Sequence, residues 1–144
     1  MSVALVTACD NAERGDSGEI VDGGALDVFS MQVGDCFQDS DDTEVADVKA
    51  VPCNQPHDNE VFFIFLAASG SWRGNDELEA EATQGCIEPF EAYVGSVYEE
   101  SRLDYSWMTP TKSSWEQHGD REIVCLLYDF NYEKLTGSMK GSRQ

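Results

Sequence analysis

Few side chains in this sequence are equipped for acid–base or ligand chemistry near neutral pH. Only two histidines occur, His57 and His118, and imidazole is the side chain whose ordinary titration falls in that range. His57 lies in Cys53-Asn54-Gln55-Pro56-His57-Asp58-Asn59-Glu60, with two carboxylates close by. His57, Asp58 and Glu60 could together hold a cation or a small polar ligand at the start of the apolar run that follows. The plainer reading is a turn in which His57 and Asp58 bond to backbone groups beside a cysteine. His118 stands next to the Gly119-Asp120 turn signal and reads as a surface residue. Neither histidine is accompanied by a Gly-x-Ser-x-Gly elbow, a His-Glu-x-x-His pair, a P-loop or a dinucleotide fingerprint. No catalytic residue and no cofactor is expected.

Metal chemistry fares no better on pattern. Asp39, Asp41, Asp42 and Glu44 resemble the start of a calcium loop, but Glu44 stands where the central glycine belongs and Ala50 where the bidentate glutamate belongs. No Cys-x-x-Cys spacing of a zinc site occurs. Trp72, Trp107 and Trp115 with Tyr98 and Tyr105 could line a stacking surface, although aromatics at strand ends more commonly pack into a core.

The five cysteines are more informative. An odd count leaves one thiol with a separate task. Cys9, preceded by Val6-Thr7-Ala8, resembles a bacterial lipobox, in which small residues precede a cysteine that takes up a diacylglycerol. At about 0.8 kcal/mol per buried methylene, two acyl chains anchor a protein firmly. The remaining four, Cys36, Cys53, Cys86 and Cys125, allow three pairings. Cys36–Cys53 would close the acidic loop, and Cys86–Cys125 would pin a helix face to an apolar strand, so this pairing is preferred. Each bridge is worth about 3–4 kcal/mol on loop-closure grounds.

The elements that must position these groups read as α+β. The chain has 144 residues with 9 Lys+Arg against 28 Asp+Glu, a net charge of −19. One domain fits that length, and so acidic a surface repels nucleic acid. Residues 1–9 read as a truncated signal and lipobox-like segment, 10–26 as an acidic flexible tether, and 27–142 as the domain. Within it, Val28–Val33 leads as a strand into Gly34-Asp35-Cys36-Phe37, and Val48–Val51 is a further short strand. Val61–Leu66 is continuously apolar and reads as the central strand. Leu78, Ala82, Cys86, Phe90 and Val94 recur four apart, the apolar face of a helix capped by Asn75 and ended by Gly95. Pro89 predicts a kink between Gly85 and Pro89. Tyr105–Met108 suits a strand, and Thr111 a cap on one turn holding Trp115. Glu122–Tyr128 is a strong strand, with Leu135–Met139 expected as its hairpin partner. The sum is a small antiparallel sheet with one main helix packed on it, stapled by disulfides.

Four blocks in this order resemble the septum formation family of actinobacterial envelope proteins. They are Val33-Gly34-Asp35-Cys36-Phe37; Val51-Pro52-Cys53 with Pro56-His57-Asp58 and Glu60-Val61; Cys86 through Phe90 to Tyr93-Val94-Gly95; and Trp115 with Gly119-Asp120-Arg121, Cys125 and Leu135-Thr136-Gly137-Ser138. The resemblance implies a domain outside the cytoplasm, attached by a transmembrane helix or a lipid, with no enzymatic activity to carry over. The expected function is thus a non-catalytic, lipid-anchored envelope module at the cell membrane that binds an unknown envelope protein or cell-wall component. The alternative is an extracytoplasmic ligand-binding or sensing lipoprotein with a site near His57.

Overall fold

The computed structural model describes residues 11–41 and 46–144. The strands are β1 (Glu13–Arg14), β2 (Ile20–Asp22), β3 (Gly24–Asp27), β4 (Cys36–Gln38), β5 (Asp47–Val51), β6 (Asn59–Leu66), β7 (Leu103–Met108) and β8 (Glu122–Asp129), and the α-helices are α1 (Asn75–Val94) and α2 (Lys112–His118). Six strands form one antiparallel sheet in the order β3-β5-β4-β6-β8-β7, and β1 pairs with β2 in a separate hairpin. The α+β expectation holds, with α1 laid on the sheet.

β6 and β8 share the longest ladder, and a bulge between Val61 and Phe63 gives β6 one extra residue at Phe62. Both faces of the sheet are used. On one, Phe62, Leu103, Cys125 and Leu127 meet Cys86, Phe90 and Val94 of α1. Nearer the start of α1, Leu78 and Ala82 meet Ile123, Ala67 and Trp115. All five residues of the anticipated helix face are buried. On the opposite face, Phe37, Val48, Ala50, Val61, Val124 and Leu126 form a second cluster with Leu26, Ile20 and Met31.

Both disulfides are present, Cys36–Cys53 with Cα atoms 5.3 Å apart and Cys86–Cys125 with 5.7 Å. The second crosses from α1 into β8, joining the helix to the sheet it covers. Thr111 caps α2 through a reciprocal box with Ser114, whose hydroxyl bonds back to the Thr111 amide.

Four local expectations are corrected. Residues 11–26 are not a tether: they form β1, β2 and the edge strand β3, and Ile20 is buried against the sheet. Arg14 fixes this segment with a two-pronged bond to Asp35, both contacts at 2.7 Å, a geometry that suits the planar guanidinium. Val28–Ser30 is a 3-10 turn capped by the Asp27 carboxylate, not a strand. The N-cap of α1 is Gly74, at φ 97°, with Asn75 the first helical residue; Pro89 lies inside the helix, and Gly95 is its C-cap, as expected. Leu135–Met139 is no hairpin partner of β8, because β6 and β7 already occupy both edges of that strand.

Candidate functional site

His57 is fully buried and forms a two-bond bridge with Leu135, its amide donating at 2.9 Å and its carbonyl accepting at 2.8 Å. Its ring Nδ1 lies 2.8 Å from the Gln55 carbonyl and must donate there. Nε2 is buried without a partner among the described residues. Asp58 faces outward and pairs with the Lys134 ammonium at 2.8 Å, while accepting from the Asp39 amide. Burial pushes the Asp58 carboxyl upward, but Lys134 and the Asp39 amide outweigh it and hold the carboxyl below its usual range.

Glu60 is also fully buried and accepts three hydrogen bonds, from the Tyr93 hydroxyl at 2.7 Å, the Ser138 hydroxyl at 2.6 Å and the Met139 amide at 2.8 Å. Burial and the neighbouring carboxylate hold the Tyr93 phenol far above its ordinary range. The Gly137 amide donates to the Cys53 carbonyl at 2.6 Å, and those of Gly141 and Arg143 donate to Tyr93 and Val94. The three sequence-nominated residues therefore share one neighbourhood without sharing one opening. They clasp the C-terminal segment 134–143 onto β6 and the end of α1.

The sulfurs of Cys36 and Cys53 and a Glu60 oxygen lie within 4.8 Å of one another. Joined as a disulfide, the sulfurs offer no thiolate to a metal, and the Glu60 oxygens are taken up by their three donors.

The aromatic residues divide. Trp115 is buried, donates its indole N–H to the Gly70 carbonyl at 3.1 Å and lies under the Arg121 guanidinium at 3.6 Å. Tyr98 and Tyr105 pack edge-on and tilted against Phe90. These are core contacts, not an open stacking surface. His118 is exposed at the end of α2. Cys9, Asp42 and Glu44 lie outside the described residues.

The sheet face opposite α1 carries an opening. A trough of about 330 Å³ lies there, sharing Phe37, Val48 and Leu126 with the second cluster. Phe37, Val48, Met108 and Leu126 form its apolar lining, Asn59 and Ser106 add polar groups, and Asp39, Asp58, Tyr132 and Glu133 stand around it.

A family model described as Septum formation matches residues 13–142. The chain belongs to the septum formation family. No curated protein and no solved structure matches it. The match begins in β1, in agreement with an ordered segment ahead of β3. Parts of the blocks that carry the resemblance to the septum formation family meet at the clasp, namely Cys36 and Cys53, His57 to Glu60, Tyr93 to Gly95, and Leu135 to Ser138, around Glu60 and the first disulfide, while Trp115 and Cys86–Cys125 lie in the helix–sheet core. The trough, by contrast, draws on five strands and the turn after β8. Its residues carry no shared spacing that a sequence motif could display.

Proposed function

We propose that this chain is a non-catalytic extracytoplasmic envelope module of the septum formation family, held to the membrane by a lipid on Cys9, that binds a protein or cell-wall partner during septum formation. The observation that carries this reading is the pair of disulfides in one small domain. Four of the five cysteines are oxidised, which suits a compartment where thiols do not stay reduced. The fifth, Cys9, follows the small residues Thr7 and Ala8 that a lipobox requires. The buried Glu60 carboxylate of the clasp is spent on the Tyr93 and Ser138 hydroxyls and the Met139 amide, which favours a structural role for it over turnover of a substrate. Among the described residues no helix is long and apolar enough to cross a membrane.

Metabolic labelling with a palmitate analogue in the native host tests the anchor. The parent chain should incorporate label and Cys9→Ala should not; equal incorporation overturns it. Cell-surface crosslinking in the same cells should capture an envelope component at the division site. A crosslinking pattern spread evenly around the cell, with septa unchanged on depletion, overturns the septal role.

A further inference from the structure

We propose that the trough opposite α1 is a docking site for a basic peptide segment, and that it takes a lysine or arginine side chain from that partner. This names the partner chemistry of the envelope-binding reading above and rests on it for its biological setting. The shape comes from sheet curvature. Val48 belongs to β5 and Met108 to β7, with β4, β6 and β8 between them. On a flat sheet four strand spacings would separate the two by roughly 19 Å, yet both line one cleft of about 330 Å³. The sheet is therefore curled around the trough, and that volume suits one long side chain and its neighbours.

The lining specifies what enters. Phe37, Val48, Met108 and Leu126 offer apolar surface to an aliphatic stem. Around them stand Asp39, Asp58 and Glu133. The nearby ammonium of Lys134 is already shared between Asp58 and Gln38, and the Glu133 carboxylate has no partner among the described residues. A positive head on an apolar stem complements that combination. An anion does not, least of all on a chain of charge −19.

Tyr132 supplies an independent sign. It is a bulky residue in the left-handed region, at φ 60°, a conformation that persists only where the surroundings impose it. The residue is 77% exposed, and its ring stacks on Tyr128 with centroids 5.5 Å apart and planes 12° from parallel. The pair gives the trough an aromatic wall whose face attracts cations. At the neighbouring free edge the amides of Leu103 and Tyr105 are taken by the Ser101 hydroxyl and the Asp104 carboxylate, which disfavours strand addition there and favours engagement through a side chain.

The test is an NMR titration of the full, disulfide-intact chain with the peptide Gly-Lys-Leu-Arg-Gly. A neutral counterpart carrying acetyl-lysine and citrulline, and spermidine as a cation without a peptide stem, are run in parallel. Amide shifts should concentrate at Phe37, Ser106, Met108, Tyr132 and Glu133, and the neutral peptide should bind roughly tenfold more weakly or worse. Ser106→Trp, which fills the trough without changing charge, should abolish binding. Tyr132→Ala, at an exposed position, should weaken it several-fold, by roughly the worth of one cation–π contact. Shifts as diffuse as those produced by spermidine, or unchanged affinity in Ser106→Trp, overturn the proposal. Should Ser106→Trp lose its amide dispersion, Tyr132→Ala decides, and unaltered affinity there overturns it. Such a failure would leave Cys9 labelling and cell-surface capture untouched, so it is distinct from failure of the envelope reading.

Discussion

Glu60 and Asp104 are carboxylates with opposite settings and the same habit of gathering hydroxyls. Glu60, fully buried, would be costly to keep without its three donors, since a desolvated carboxylate needs compensation from charge-assisted bonds. Glu60→Ala leaves Tyr93, Ser138 and the Met139 amide facing a void and should cost about 3 kcal/mol in chemical denaturation. Tyr93→Phe, which removes one donor, should cost about half of that. Equal and negligible losses would mean that the C-terminal clasp holds nothing. Asp104 accepts from the hydroxyls of Tyr98 and Tyr128 and from the Tyr105 amide. The bond to Asp104, then burial, pushes Tyr98 up to about 12, while burial, then the Asp104 charge, pushes Tyr128 up to about 12. Both phenols are held neutral in the folded state above their unfolded value of about 10. Their contribution to stability is thus complete below pH 10 and is lost as pH climbs from about 10 through 12. Phenolate absorbance should show a late-titrating component, and Asp104→Asn should bring the Tyr98 part of it earlier.

The contact of α1 with β6 depends on the absence of a side chain. A Cβ on Gly85 would stand 2.3 Å from the tip of the Phe65 ring and 2.8 Å from an adjacent ring carbon. Alanine ordinarily favours a helix interior over glycine by about 1 kcal/mol, but forcing the ring aside costs about 1–3 kcal/mol. Gly85→Ala should therefore destabilise by about 1 kcal/mol net, and should turn stabilising in a Phe65→Leu background; a gain in the parent background would show that the ring moves freely. The helix face itself was legible in advance, since residues four apart on a buried stripe leave a direct signature, and the apolar run of β6 and the cysteine pairing were legible for similar reasons. Residues 11–26 were not. Their glycines and acids argue for disorder on composition, and what orders them is remote: Arg14 on Asp35 and Ile20 on the far sheet face. Leu135–Met139 misled in the other direction, its apolar content suggesting a hairpin partner for β8, both of whose sides are taken by β6 and β7. His57, Asp58 and Glu60 lie in one neighbourhood, as their spacing dictates, but spacing could not reveal that the C-terminal segment folds over them. The trough was illegible because only the curl of the sheet brings its strands together.

At the scale of the whole molecule, the two disulfides hold different kinds of structure and should yield in a fixed order. Cys86 and Cys125 are both fully buried between α1 and β8, whereas Cys53 is partly exposed beside the clasp. Thiol exchange needs an attacking thiolate in line with a sulfur, so access governs which bridge a reductant meets first. Cys36–Cys53 closes a short span of 17 residues between the start of β4 and the chain just after β5, and opening it frees the residue whose carbonyl receives Gly137. Cys86–Cys125 spans 39 residues, and its loss releases about 3–4 kcal/mol of chain restraint at once. A self-repelling charge of −19 sharpens that loss at low ionic strength. Graded treatment with a small thiol, followed by alkylation and mass spectrometry, should show Cys36 and Cys53 modified while Cys86 and Cys125 remain paired. The latter two should be modified only as the fold gives way, at a thiol concentration that rises with added salt. Simultaneous opening of both bridges would mean that the clasp and the helix–sheet core unfold as one unit, and that the margin of the domain has no separate stability.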